Sequence, residues 1–269
     1  MKVGIIAALW LCLVPSPANA EPAELRAGGT GATTELLHRL AAEFDKETGY
    51  RTQVVASLGT TGGLRALADG YLDVAVAGRA LKPEEQAKGL KVALVVRTPF
   101  VLATSHKAPG GLALADVVRA FADPDLSWAD GTPIRVILRP RSESDVMLMT
   151  SLFPGLGDAM EKARQRPEVP VAATDQDNAD LAERTPGSLV GMSLTQLLLE
   201  KRDLRPVAID GLTATGASFT NGTYPYTKLL YFVTREQPGE IATAFLGFME
   251  SRAAQDIMAG AFVLPARAP

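Results

Sequence analysis

Two hydrophobic periods alternate along the first third of the chain. A period of three to four residues predicts an amphipathic helix over 33–49, which Gly49 ends. Short runs of β-branched and other apolar residues predict three strands, and a second helix is predicted at 64–70. The strands are predicted at 24–29, 51–57 and 73–78. Strand, helix, strand, helix and strand in this order is typical of a parallel sheet with crossover helices and predicts an α/β fold.

Two long apolar segments, 90–105 and 226–236, bracket the middle of the chain. The first is too long for one ordinary strand, so we interpret it as two strands or as one strand that runs between two lobes. Helices and shorter strands alternate between the two segments. We therefore expect two lobes with a cleft between them, the preferred place for a small ligand. Lobe 1 is predicted to comprise residues 21–99 and 226–269, and lobe 2 residues 100–225.

The first twenty residues have the pattern of a secretory signal. They contain a lysine, an apolar stretch, a Pro-Ser-Pro break and the tripeptide Ala18-Asn19-Ala20. This pattern predicts a signal peptide over 1–20, cleaved after Ala20, and hence a periplasmic protein. Cys12 follows a leucine rather than a small residue, which argues against lipidation at that cysteine.

Charge and cysteine content narrow the class of protein. The chain has 27 Lys and Arg, 30 Asp and Glu, and one Cys. Removing 1–20 takes away one Lys and the cysteine, so the mature chain has 26 basic and 30 acidic residues and a net charge of −4. An exported chain without a disulfide must be stabilised by its apolar core, which this length permits. A net acidic chain without a basic cluster argues against nucleic acid and a polybasic membrane surface as partners.

Three predicted loops share the order of strand, small or hydroxyl residues, and helix. They read "GGTGATT" at 28–34, "SLGTTGG" at 57–63 and "RPRSESD" at 139–145. In a parallel α/β sheet such loops lie at the carboxyl ends of the strands, where ligands bind. Each helix start offers unpaired N–H groups and about half a positive charge, so three of them at one cleft could bind an oxyanion. Helix capping by the same hydroxyl residues is the alternative for each loop.

Three arginines beside these loops are candidates for binding an oxyanion, because a guanidinium offers a fork of donors. Arg79 ends the third predicted strand, and Arg139 and Arg141 flank Pro140 before a predicted helix. A surface salt bridge is the alternative for each of them.

The sequence lacks the motifs of nucleotide, zinc and hydrolase sites. No G-x-x-x-x-G-K-[ST] occurs, and Thr34 stands where a dinucleotide fingerprint needs its third glycine. No C-x-x-C, H-E-x-x-H or G-x-S-x-G occurs either. His38 and His106 are predicted to be solvated. We therefore predict no enzyme activity, no catalytic residue, no metal and no cofactor; a secreted hydrolase that uses a Ser or Thr of the loops is the alternative.

The chain resembles the substrate-binding proteins of ABC importers, of the phosphate-binding type within the type II periplasmic-binding fold. The similarity covers nearly the whole mature chain. "GGTGATTELLHRLAAEF" resembles the family's first loop and helix, and "SLGTTGGLRALADGYLDVAVAGRALKPEE" its second loop, next strand and following turn. "FADPDLSWADGTPIRVILRP", "RTPGSLVGMSL" and "YPYTKLLYFV" resemble its second lobe and return crossover. The resemblance implies a two-lobe α/β fold, each lobe a mostly parallel sheet flanked by helices.

The resemblance also implies ligand contacts from all three loops, carried over residue by residue. To these contacts we add Arg79, because it ends a strand beside them. The positions implied by the resemblance are Thr30, Gly31, Gly59, Thr60, Thr61, Arg139, Ser142 and Ser144.

Two parts of the sequence depart from the family pattern. The family's third loop usually reads Ser-Gly-Thr, and here the stretch reads "SESD". The best-known phosphate binders carry an acid before the Pro-Leu turn that accepts a proton from the ligand, whereas this chain has Gly78 and Arg79. Glu143 and Asp145 could replace that acid, or they could be first-turn acids that favour the helix dipole. If both faced the cleft, they would repel a dianion.

The sequence therefore predicts a monomeric, extracytoplasmic receptor that captures a small oxyanion by hinge closure and delivers it to an ABC permease. Phosphate is the leading ligand; a related oxyanion, a small organic acid and an uncharged solute are the alternatives. The rival among binding proteins is a sensor that presents its ligand to a membrane kinase.

Overall fold

The computed structural model describes residues 24–267, and the predicted signal peptide lies outside them. No helix in this part of the chain is long and apolar enough to cross a membrane. The strands are β1 (Glu24–Gly29), β2 (Arg51–Val55), β3 (Val74–Ala77), β4 (Leu90–Thr104), β5 (Gly111–Leu112), β6 (Arg135–Val136), β7 (Ser188–Ser193), β8 (Arg205–Pro206), β9 (Ala208–Ile209), β10 (Thr227–Arg235) and β11 (Leu264–Pro265). The α-helices are α1 (Thr34–Thr48), α2 (Gly59–Ala68), α3 (Pro83–Gln86), α4 (Leu114–Ala122), α5 (Ser144–Leu152), α6 (Leu156–Arg164), α7 (Asp175–Arg184), α8 (Leu194–Leu199), α9 (Gly216–Thr220), α10 (Glu240–Phe248) and α11 (Arg252–Gly260).

One long sheet organises these elements and confirms the predicted α/β fold. Its strand order is β2-β1-β3-β10-β4-β7-β6, and β8 and β11 also pair with β4. β1 is parallel to β2 and β3, and β6 is parallel to β7, as expected for strands joined by crossover helices. β10 is antiparallel to both β3 and β4. The two long strands therefore separate two parallel groups, and the loops after β1, β2 and β3 lie at one edge.

β4 is a single strand of 15 residues. Of the two interpretations of 90–105, the structure therefore has one continuous strand and not two. Residues up to Pro99 pair with β10, whereas residues from Phe100 onward pair with β7. The strand thus changes its partner where the sequence predicts the passage from lobe 1 to lobe 2. The two lobe boundaries stay a prediction.

The buried apolar side chains form three clusters. One cluster, which includes Phe121, is drawn from residues 100–226. The other two, which include Phe245 and Tyr231, are drawn from residues 25–96 and 230–263, together with Leu199. This distribution supports the proposed division into two lobes, since each lobe would then contain its own core.

α2 begins earlier than the sequence predicts, at Gly59 instead of residue 64. "SLGTTGG" therefore supplies the first turns of a helix rather than a flexible loop. The reason lies at Gly63, where an added Cβ would stand only 2.6 Å from the Cα atom of Gly29 in β1. The glycines allow the helix to pack directly on the strand, and this contact fixes the second loop against the first.

β6 is short and contains only two residues, Arg135 and Val136. Beyond it, Leu138 makes an isolated parallel bridge to Val171. The backbone N–H of Leu138 donates to the Pro170 carbonyl, and that of Ala172 donates to the Leu138 carbonyl. This bridge brings the start of α7 beside Arg139.

Candidate functional site

A cavity of about 60 Å³ lies where the three predicted loops meet the start of α7. Gly31, Gly59 and Arg139, three of the predicted site residues, line it. The other residues that line it are Ser57, Leu58, Glu143, Ala173, Thr174 and Asp175. A larger cavity of about 360 Å³ lies beside β6 at the outer edge of the sheet. We assign the site to the smaller cavity, because only there do the loops converge on a buried cation.

The first loop directs its donors at one carboxylate. It forms a short 3-10 helix, Gly31–Thr33, ahead of α1. The Ala32 N–H donates to Asp175 Oδ2 at 3.0 Å, and the Thr30 hydroxyl donates to the same oxygen at 3.4 Å. The Thr33 hydroxyl donates to the Thr30 carbonyl instead of capping α1. Both donors of this loop are thus hydrogen-bonded to the Asp175 side chain of α7.

The second loop presents its backbone to the cavity and uses its threonines elsewhere. Gly59 opens α2 with a φ of +67°, a conformation that favours glycine. The Thr60 hydroxyl accepts a hydrogen bond from the Gly78 N–H at 2.9 Å, which ties α2 to the end of β3. Thr61 is exposed. Neither threonine caps α2, because the helix already begins at Gly59.

Arg139 is the buried cation of the site, with 7% of its surface exposed. Its Nη1 donates to the Ala172 carbonyl at 3.1 Å, and its Nη2 donates to Glu143 Oε2 and Asp175 Oδ1, each at 3.2 Å. Its Nε is buried and has no hydrogen-bond partner among the described residues. A buried donor without a partner is costly, so an acceptor that reached this N–H would be stabilised.

The structure places the remaining predicted residues away from the cavity. Ser142 is exposed, and Ser144 is buried beneath Gly78, where an added Cβ would stand 2.5 Å from the Ser144 Oγ. The Arg79 guanidinium donates to both carboxylate oxygens of Glu85, at 2.7 and 2.8 Å. Arg141 pairs with Glu161 on the surface. Arg141 thus makes the surface salt bridge considered as the alternative, whereas the salt bridge of Arg79 is partly buried.

A second ion pair, close to Glu143 in sequence, is almost fully buried. The Lys228 ammonium, on β10, donates to the carboxylate of Asp145, on α5. Lys228 has no exposed surface, and an added Cβ at Gly78 would stand 3.3 Å from its Cε. The site and this ion pair therefore contain two cations and three carboxylates, those of Glu143, Asp145 and Asp175.

Burial changes the titration of two of these carboxylates. Burial raises the pKa of Glu143 above its ordinary value; the nearby Arg139 guanidinium opposes this rise, and the charge of Asp175 adds to it. Burial also raises the pKa of Asp145, against the opposing attraction of Lys228. Each carboxylate would thus accept a proton more readily than it would in water.

Sequence reasoning missed two residues that shape the site. Asp175 follows Thr174, whose hydroxyl caps α7, so "ATDQ" was a fourth helix start with a readable capping signal. Lys228 stands inside the apolar strand "YTKLLYFV", where a charge in a buried run indicates a buried partner. Neither signal shows which oxygen or nitrogen the side chain meets, because the partners are 36 or more positions distant in sequence.

Neither histidine lines the cavity. His38 is exposed on α1, as predicted. His106 is not solvated: its Nε2 lies 3.0 Å from Asp130 Oδ2, its Nδ1 accepts from the Ala108 N–H, and its side chain is 10% exposed. Within residues 24–267, no three His, Cys, Asp or Glu side chains are grouped so that they could hold a metal ion.

Comparisons with known proteins agree with this architecture. The family model of the PBP superfamily domain matches residues 15–253, and the chain therefore belongs to the PBP superfamily. No curated protein matches the sequence.

Several solved structures resemble the fold of this chain. One, described as a phosphate ABC transporter substrate-binding protein with bound phosphate from Clostridium perfringens, has a TM-score of 0.76 at 18% identity and covers 91% of this chain and 100% of its own. An ABC-type phosphate transport receptor from Vibrio cholerae has a TM-score of 0.62 at 14% identity, over 90% and 100% of the chains. A reduced form of OxyR from N. meningitidis has a TM-score of 0.61 at 10% identity, over 91% and 99%. At these identities the likeness shows the fold alone.

Proposed function

We propose that the protein is an extracytoplasmic solute-binding protein that captures a small oxyanion, with phosphate as the leading ligand. The observation that carries this proposal is the buried Arg139 guanidinium in a cavity formed by several loop ends. The Nε and Nη2 groups share one edge of a guanidinium, and such an edge fits two oxygens of a carboxylate or phosphate. The Ala32 N–H, at a helix start, is a further donor suited to an anion.

The position of the cavity supports ligand capture by hinge closure. Gly31 and Gly59 belong to the predicted lobe 1, whereas Arg139 and Glu143 belong to the predicted lobe 2. A ligand that contacts both lobes binds the closed state more tightly than the open one and shifts the population toward it. The proposed partner is an ABC permease, to which a closed, monomeric receptor delivers the anion.

The hydrolase alternative receives no support from the histidines. A serine or threonine nucleophile needs a base within hydrogen-bond reach. Of the two histidines, His38 is exposed and His106 is bound to Asp130. The Thr60 hydroxyl is itself engaged with the Gly78 N–H.

Arg139→Ala tests the binding function directly. We expect phosphate or a related oxyanion to raise the melting temperature of the purified protein, and we expect this shift to be lost in Arg139→Ala. Arg141→Ala is the matched control, because it removes the same charge two residues away, from a side chain that faces solvent and pairs with Glu161. Equal shifts in all three proteins, or no shift with any anion or organic acid tried, would contradict the proposal.

Transport and sensing require a cellular experiment. If the protein serves a permease, cells that carry Arg139→Ala should take up labelled phosphate more slowly than cells with the unaltered chain. If it serves a membrane kinase, uptake should be unchanged while the response of gene expression to phosphate is lost. Cells with Arg141→Ala provide the control for expression and export.

A further inference from the structure

The larger cavity, beside β6, has the size and lining of a second binding site. Its volume of about 360 Å³ is within the usual range of small-molecule sites, about 300–1,000 Å³. It shares no lining residue with the smaller cavity. The polar residues that line it are Arg135, Arg166, Glu168 and Thr185. The apolar residues that line it are Pro124, Pro133, Ile134, Val136, Val169 and Pro170.

β6 is the last strand of the sheet, so one side of its backbone is not covered by a neighbouring strand. The Arg135 N–H donates to the Gly187 carbonyl, at the start of β7. The Ile137 N–H donates to the Leu189 carbonyl, within β7. Because alternate residues of a strand bond to opposite sides, the N–H and C=O of Val136 point away from β7. Val136 therefore presents one backbone donor and one acceptor at the edge of the sheet.

The segment after α6 covers this edge at Leu138 but not at Val136. The backbone of Leu138 bonds to both Pro170 and Ala172, on the side away from β7. Two residues earlier, Val136 and Pro170 both line the cavity, but within residues 24–267 no backbone hydrogen bond joins Val136 to this segment. The cavity thus lies where the pairing stops. An extended chain can continue such a sheet through its own amide groups.

Two arginines at the cavity are positioned by carbonyl oxygens and not by carboxylates. Arg166 Nη2 donates to the Phe121 carbonyl at 2.9 Å, and Arg135 Nη1 donates to the Pro186 carbonyl at 3.1 Å. Arg166 Nε is buried without a hydrogen-bond partner in the part of the chain that the structure describes. Glu168 lines the same cavity, is exposed and pairs with neither guanidinium there. Two arginines and one glutamate give the lining a net charge of +1, which favours a ligand with a carboxylate.

We propose that this cavity is a second binding site, which binds the carboxyl-terminal end of a short peptide in an extended conformation. An amide of the peptide pairs with the N–H and C=O of Val136, as an added strand does. An apolar side chain of the peptide contacts the proline-rich wall, and its terminal carboxylate compensates the charges of Arg135 and Arg166. Phosphate has no amide and no apolar group, so the two cavities bind different ligands. This inference does not depend on the proposed function.

NMR titration of the ¹⁵N-labelled protein with the dipeptide acetyl-alanyl-valine tests the inference. The dipeptide should shift the amide signals of Val136 and Val169, whereas phosphate should leave the Val136 signal in place. Two altered dipeptides separate the contacts: a C-terminal amide in place of the carboxylate, and a methyl group on the valine nitrogen. Each should bind about tenfold more weakly or worse, because each removes a hydrogen-bonding group.

Three variants test the role of the arginines. Arg135→Gln and Arg166→Gln should each weaken binding of the dipeptide, by about tenfold or more where a charged hydrogen bond is lost. Arg135 is exposed, so its variant is expected to fold even if Arg166→Gln does not. Arg51→Gln is the matched control, because it removes the same charge from an exposed side chain on β2, the strand at the opposite edge of the sheet.

The outcomes separate this inference from anion binding at the smaller cavity. Unchanged Val136 and Val169 signals at millimolar dipeptide would overturn the inference, and this measurement needs no variant. Dipeptide shifts centred on Gly31 and Gly59 would also overturn it, because they would place the peptide in the smaller cavity. Binding that is equally tight for the C-terminal amide, or equal in Arg135→Gln and Arg51→Gln, would contradict recognition of the carboxylate. None of these results bears on the response to phosphate, which tests the proposed function.

Discussion

Gly63 shows how a single glycine sets the position of the second loop. A Cβ there would stand 2.6 Å from the Gly29 Cα, a distance that neither backbone can accept. Gly63→Ala should therefore lower the free energy of unfolding by about 1–3 kcal/mol, as overpacking does elsewhere. At Gly62, one position earlier in α2, an added Cβ meets only the Leu58 Cβ at an ordinary 3.6 Å. Gly62→Ala should raise the free energy of unfolding by roughly 0.5–1 kcal/mol. Urea unfolding of both variants measures this difference in sign. Equal effects would mean that close packing is not the reason for glycine at residue 63.

Glu143 gives the site a pH dependence whose sign follows from its burial. The pKa of Glu143 is raised in the folded protein above its ordinary 4.5, chiefly by burial. The folded protein therefore binds the proton more tightly than the unfolded chain does, and the contribution of Glu143 to stability declines as pH rises through the raised pKa. Relative to Glu143→Gln, the unaltered protein should lose stability between acidic and neutral pH, as measured by urea unfolding at each pH.

Glu161 supplies the comparison of opposite sign. The Arg141 guanidinium, through a side-chain hydrogen bond, lowers the pKa of Glu161 below its ordinary value. The contribution of Glu161 to stability is present above the ordinary pKa and is lost as pH falls through the lowered pKa. Relative to Glu161→Gln, the unaltered protein should gain stability as pH rises. The assignment of these pH effects would be wrong if the two variants showed the same trend.

At the scale of elements, the Lys228–Asp145 pair connects β10 to α5. Removing one partner of a buried pair leaves an uncompensated charge, which costs about 3–5 kcal/mol. Lys228→Met should therefore destabilise strongly, and the double variant with Asp145→Asn should recover part of the loss. Chemical denaturation of the single and double variants measures the coupling.

The Arg119–Asp123 pair is the control for this cycle, since Arg119 on α4 is 57% exposed and Asp123, which follows the end of α4, is 33% exposed. Arg119→Met should cost less than about 1 kcal/mol, as is usual for exposed pairs. If Lys228→Met cost no more than Arg119→Met, the buried pair would not be the element that connects β10 and α5.

Most elements follow from the sequence, whereas the polar contacts between them do not. The hydrophobic period places α1 within one residue of its observed bounds, and Gly49 ends it with a φ of +76°. Arg139 could be predicted from the sequence as a site residue, because a cation before a helix start is a local pattern. Asp175 and Lys228 are missed because their roles depend on partners in other elements. "SLGTTGG" is assigned to a loop because glycine has low helix propensity, and packing against β1 overrides that propensity.

At the scale of the whole molecule, the proposed division into two lobes predicts two units of unfolding. Phe121 is buried in the cluster drawn from residues 100–226, and Phe245 in a cluster drawn from residues 25–96 and 230–263. Truncating either to alanine removes about 3–5 kcal/mol of core packing. If the lobes open separately, hydrogen exchange of amides in β7 should accelerate in Phe121→Ala, and hydrogen exchange of amides in β1 should accelerate in Phe245→Ala.

β4 is the internal control, because it changes its pairing partner after Pro99. Exchange in its residues before Pro99 should follow that of β1, and exchange in its residues after Pro99 should follow that of β7. Uniform acceleration along β1, β4 and β7 in both variants would show one cooperative unit and contradict the division into lobes.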